Sequence, residues 1–261
     1  MKYVRLYRAL FRFNIQNLIV YRAHFINSTI STVGWGVFQY VWIELLTIRT
    51  KSAFGWSKQE LVTLAILYII IIGIFHFFFS RNFDRFSRII DKGELDFLLI
   101  KPVDSQLIAT THIHNYPNLI RVILGVFFLM IYTRSNNLFF TIQGWIGLVV
   151  LAFFGIMLLY SLWLFYCTLL IWFPRLTNVV EFLYTINGMA RYPAEMIREL
   201  RNFVLFFLLP FSISIATPAK VLVRGAWDGD ILFLIGLSGM FFILTRVFWK
   251  YALQHYTSAS S

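Results

Sequence analysis

Apolar runs about twenty residues long, separated by short basic segments, set the pattern of this chain. The clearest is Leu61 to Phe79, nineteen residues without a formal charge. A hydrocarbon layer about 30 Å thick needs roughly 20 helical residues at about 1.5 Å each to cross it. The same reasoning predicts spans over 26–48, 107–132, 138–173 and 231–248. The third run contains His112, His114, Pro117 and Arg121, so it is expected to be kinked or to begin at the interface. Two weaker segments compete for a further crossing. Residues 177–190 are short and carry Glu181, and Asn202 to Ala216 is more apolar but interrupted by Pro210. If the first crosses, residues 193–225 become a hairpin that dips into the outer leaflet with Pro210 near its turn, where irregular backbone must be packed in protein or line a cavity. Either choice gives an all-α polytopic membrane protein with six transmembrane helices in a single domain, 1–261.

Between the runs lie two amphipathic stretches. In residues 2–20, Arg5, Arg8 and Arg12 fall on one side of a helix and Tyr3, Leu6, Leu10 and Phe13 on the other, the signature of a helix lying in the headgroup plane. In 81–104, Arg81, Asp84, Arg85 and Arg88 share one face, and Phe83, Phe86 and Ile90 share the opposite one. That helix is expected to lie outside the bilayer core and to be held to it by the aromatic face. Gly93 is placed to end it in a left-handed conformation, and Pro102 stops the short apolar element that follows.

Composition sharpens this picture. Hydrophobic residues make up 59% of the chain and charged residues 13%, roughly half the charged share of a soluble domain. The net charge of +11 would suggest nucleic acid in a soluble protein. Here it reads as basic loops on the cytoplasmic face, against anionic lipid, and no nucleic-acid partner is expected. Five Lys and Arg in residues 1–25 and five in 80–105 outnumber three in 48–60 and one in 134–138, placing both termini in the cytoplasm. The hairpin arrangement would put five more outside, in 191–229, so charge alone favours Asn202 to Ala216 as the crossing. Three arginines interrupt any signal-peptide core near the start, so no cleaved leader is expected. The lone Cys167 allows neither an internal disulfide nor a thiolate metal cluster. His112 and His114 would point about 200° apart on a helix, which does not suit one metal. No HExxH, GxSxG or P-loop pattern occurs, so the chain has no visible means of hydrolysing ATP or anything else. Glu44, Arg121 and Glu181 are the intramembrane charges. Each costs about 2.5–3.5 kcal/mol to insert, so they are expected to face the bundle interior, lining a path or pairing with one another. Glu44 with Arg121 is one such pair.

Several segments in order resemble the ABC-2-type transporter permeases, in their compact branch of about 260 residues. They are GELDFLLIKPVDSQL from Gly93, IWFPRLTNVVEF from Ile171, Tyr192-Pro193 followed by LLPFSISIATPAKVLVRG from Leu208, and FWKYALQHYTSAS from Phe248. The resemblance implies an N-terminal elbow helix, a cytosolic coupling segment over 81–104, a fifth span over 177–190 and an outer re-entrant hairpin over 193–225 marked by Tyr192, Pro193, Pro210 and Pro218. It implies a permease subunit of an exporter in the plasma membrane, paired with a second permease, the same or a sister chain. A dimer of separate cytosolic ATPases would hold ATP and Mg and dock on Arg81, Asp84, Arg85, Arg88, Gly93, Glu94, Lys101 and Pro102. The permease itself would bind no cofactor and catalyse nothing. A secondary transporter driven by an ion gradient is the alternative, though the halves show no mutual similarity.

Overall fold

In the computed structural model the described residues are 2–48, 52–176, 178–198, 202–225 and 227–256. Thr177, the 199–201 stretch inside the expected hairpin and the tail beyond residue 256 lie outside them. Among the described residues, five helical segments are long and apolar enough to cross a membrane: 58–91, 116–135, 142–171, 207–224 and 229–254. The protein is an all-α polytopic membrane protein.

α1 (Lys2–Val20) leads into α2 (Arg22–Thr47). A two-residue ribbon, β1 (Ser52–Ala53) with β2 (Trp56–Ser57), then turns the chain into α3 (Lys58–Phe75). α2 is more polar than the five segments above, yet it joins the same two ends of the molecule. Near its start His24 lies 3.5 Å from Arg81, and near its finish Glu44 lies 3.6 Å from Lys58. α3 opens on a capping box: Ser57 Oγ accepts from the Glu60 amide and the Glu60 carboxylate from the Ser57 amide. Apolar on every side, α3 is buried from Leu61 to Ile69 and forms the central helix of the bundle.

α3 does not stop at the expected limit of the second span. A π-turn, His76–Ser80, carries it without a break into α4 (Arg81–Asp91), making one rod of 34 residues. The expected surface helix is therefore continuous with the second span, and its apolar face (Phe83, Phe86 and Ile90) is buried in protein. The Phe83 ring lies 5.6 Å from that of Trp163, and the Phe86 ring 5.3 Å from that of Trp249. Burying a Phe contributes about 1.5–3 kcal/mol relative to water. α4 ends in a Schellman turn: Gly93 has φ +66°, the Gly93 amide bonds Ile90 O, and the Glu94 amide bonds Ile89 O.

α5 (Leu95–Leu99) and α6 (Ser105–Thr111) follow, then α7 (Tyr116–Ser135). The expected third span, 107–132, is thus broken at residues 112–115, with Pro117 in the first turn of α7. α8 (Ile142–Thr168) is capped by the Thr141 hydroxyl, which accepts from the Gly144 amide. It tightens into a 3-10 turn at Leu169–Ile171 before Pro174.

The segment expected as the fifth span is short. α9 (Val179–Asn187) has nine residues, roughly 14 Å, and continues as a 3-10 turn at Gly188–Arg191. α10 (Ala194–Arg198) precedes α11 (Asn202–Arg224). Pro210 and Pro218 both lie inside α11, so Pro210 is not the tip of a hairpin. Its carbonyl accepts from Ser214 Oγ at 2.7 Å, one of the side-chain bonds that let a helix tolerate local irregularity in a membrane. α12 (Gly229–Gln254) returns along α8.

Candidate functional site

The ends of the bundle differ in chemistry. At one, oppositely charged groups are paired off. Lys220 Nζ lies 2.7 Å from Asp228, 3.0 Å from Asp230 and 3.7 Å from Glu195. Arg224 Nε donates to Glu60 at 2.8 Å and stacks 4.9 Å from the Trp56 ring, whose Nε1 donates to Glu195. These contacts tie the start of α3 to α10, α11 and the start of α12.

The other end is basic. The face shared by Arg81, Asp84, Arg85 and Arg88 divides in the folded chain. Arg81 turns to His24, and Asp84 accepts from the Tyr184 hydroxyl at 3.2 Å, tying α4 to α9. Arg85 and Arg88, with Lys92, Glu94 and Lys101, line a cavity of about 230 Å³ between α4 and α5, walled by Ile89, Phe97 and Leu98. Four cations thus surround one carboxylate. Phe97 and Ile100 expose 69% and 77% of their surface beside it, apolar knobs on a basic rim. Lys101 and Pro102 form the exposed turn beyond. Such a surface can receive an acidic and apolar element of another protein.

Behind the rim the short elements are anchored. Asp104 caps α6 by accepting from the Leu107 amide at 3.0 Å and is held by both terminal nitrogens of Arg246 on α12. That guanidinium holds the Asp104 carboxyl below the usual carboxylate range. Trp249 Nε1 donates to Ser105 Oγ at 3.1 Å. The unwound stretch 112–115 has its backbone bonded by two asparagines that sequence reasoning missed. Asn82 donates to Ile113 O and accepts from the Ile113 amide at 2.8 and 2.7 Å, and Asn14 of α1 donates to His112 O at 3.0 Å. The available signal was a buried-face Asn in each helix without a capping position to fill. Burial, with the charges of Arg85 and Lys101, pushes the His112 imidazole down to about 4.

The intramembrane charges are not paired as expected. Glu44 meets Lys58 and Tyr40, whereas Arg121 donates to Gln39 Oε1 at 2.8 Å. Glu181 is exposed in the first turn of α9. Tyr192 O accepts from Ser212 Oγ at 2.9 Å, and Pro193 O accepts from the Met196 amide at the start of α10.

These features define a helical, multi-pass membrane protein with one closed polar end and one basic, open-faced end. A family model described as an ABC-2 family transporter protein matches residues 33–260, and the chain belongs to that family. It is an ABC-2-type permease, the membrane component of an ABC transporter and not its ATPase, and family membership implies association with an ABC ATPase. No curated protein matches the chain.

Proposed function

We propose that this permease is one half of an ATP-driven exporter in the plasma membrane, paired with a second permease of the same or a sister kind. A dimer of separate cytosolic ATPases, holding ATP and Mg, docks on the basic end, which faces the cytoplasm with both termini. The observation that supports this reading best is the 34-residue rod, about 51 Å long, that joins the core helix α3 to the charged α4. A push on α4 has no loop in which to dissipate. It reaches α8 and α9 through Trp163 and Tyr184, and α12 through Trp249. The π-turn at its centre is a wider, less regular turn of the sort often found at functional positions. Arg85 and Arg88 supply charge for docking, Phe97 and Ile100 apolar contact, and the turn at Gly93 fixes the angle between α4 and α5.

Arg85→Glu combined with Arg88→Glu is expected to reduce co-purification of the ATPase by tenfold or more while leaving the permease folded. A double variant that assembles with its ATPase and transports at the normal rate refutes the docking assignment.

A further inference from the structure

A polar cavity of about 510 Å³ is bounded by α2, α3, α7, α9 and the 3-10 turn that follows α9. It holds two arginines. Arg121 is only 6% exposed, and Arg191 points its guanidinium over the Tyr68 ring at 5.5 Å, the ring that also lies 5.9 Å from the guanidinium of Arg121. Arg121 uses one terminal nitrogen on Gln39 and leaves Nε buried without a partner. Arg191 spends Nε on Gly188 O at 2.6 Å. Among the described residues no carboxylate pairs with either. Asn187, 1% exposed, lines the same cavity with neither of its amide atoms hydrogen-bonded.

Buried cations ordinarily come with counter-charges, and buried amides with partners. Here the residues that leave both requirements unmet, Arg121, Arg191 and Asn187, line one space. The missing partner is an anion with several acceptor oxygens, since a guanidinium binds carboxylate and phosphate through parallel N–H bonds. The remaining wall states what else the partner carries. Trp35, Met189 and Tyr192 offer aromatic and apolar surface, and Trp35 is 53% exposed at the cavity's edge, so the space opens sideways from the bundle. A volume of this size is in the range of small-molecule sites.

We propose that this cavity binds the acid group of an amphipathic molecule, a carboxylate or phosphate held by Arg121, Arg191 and Asn187 with its apolar part along Trp35. That the bound molecule is cargo rests on the exporter reading, but the binding itself does not.

The test uses the full chain in phosphatidylcholine nanodiscs without any ATPase. Binding of radiolabelled dodecanoate and dodecyl phosphate is measured by scintillation proximity, with dodecyltrimethylammonium as the cationic control. Saturable binding of at least one acid is expected. It should weaken about tenfold or more in Arg191→Gln and in Arg121→Gln, recover in part in Arg191→Lys, and be indifferent to the cation. Should Arg121→Gln fail to fold, the half-buried Arg191 carries the test. Doping the discs with phosphatidylglycerol distinguishes the sources: competition identifies a lipid headgroup, and its absence a free amphiphilic acid. Unchanged affinity in the Gln variants, no saturable binding of either acid, or equal binding of the cation overturns the proposal. An ATPase that fails to associate sinks the exporter reading and leaves this result standing.

Discussion

Replacing Gly155 by alanine should separate two helices that the fold requires to touch. A Cβ built on Gly155 of α8 would lie 2.1 Å from the carbonyl oxygen of Ser214 on α11. That atom is backbone, so it cannot swing aside. An ordinary carbon–oxygen contact is about 3.2–3.4 Å, so the helices must part by roughly 1 Å along most of their shared face. Packing between membrane helices rests on such small-residue approaches, because lipid tails already satisfy apolar surface. Overpacking of this kind costs about 1–3 kcal/mol, and the upper part of that range applies where the obstructing atom is rigid. For a chain of this size about 2–3 kcal/mol corresponds to a fall in Tm of roughly 4–12 °C. Gly236 of α12 is the control, since a Cβ there meets nothing within 4 Å. Gly236→Ala should be neutral or stabilising by up to about 1 kcal/mol, from helix propensity alone. Thermal unfolding in detergent, followed by tryptophan fluorescence, compares the two. A Gly155→Ala protein as stable as wild type, or no more affected than Gly236→Ala, refutes the reasoning.

Gly93→Ala forces an L side chain into φ +66°, a cost of about 1–2 kcal/mol. We expect a lower Tm and a loss of ATPase coupling, with Gly93→Asn milder in both. Transport assays of the two variants check this, and equal effects would argue against the left-handed turn as the cause. The His112 imidazole is held down to about 4, against about 6.5 in the unfolded chain. A depressed value means that the stabilisation is present above pH 6.5 and is lost as the pH falls toward 4. After allowance for partial exposure it amounts to about 2 kcal/mol. His112→Gln should therefore flatten the decline in Tm between those limits, and a slope identical to wild type would count against it.

The long apolar runs announce a polytopic helical protein because crossing hydrocarbon demands length and apolarity together, and both are properties of consecutive residues. α3, α8 and α12 are legible for that reason. So is the turn at Gly93, where a glycine follows an amphipathic helix and precedes an apolar one. Local pattern stops where two helices meet. The run from Leu61 to Phe79 has no residue that states whether it ends there, and only the packing of Phe83 and Phe86 on Trp163 and Trp249 carries it onward into α4. The expected turn at Pro210 failed for a related reason. A proline forbids one backbone bond, but α8, packed along α11, supports the helix through that gap. Arg121 was visible as an oddity in the sequence. That it shares a cavity with Arg191 and Asn187, and not a bond with Glu44, depends on residues 66 and 70 positions away in the chain, and proximity of that kind is decided only by tertiary packing.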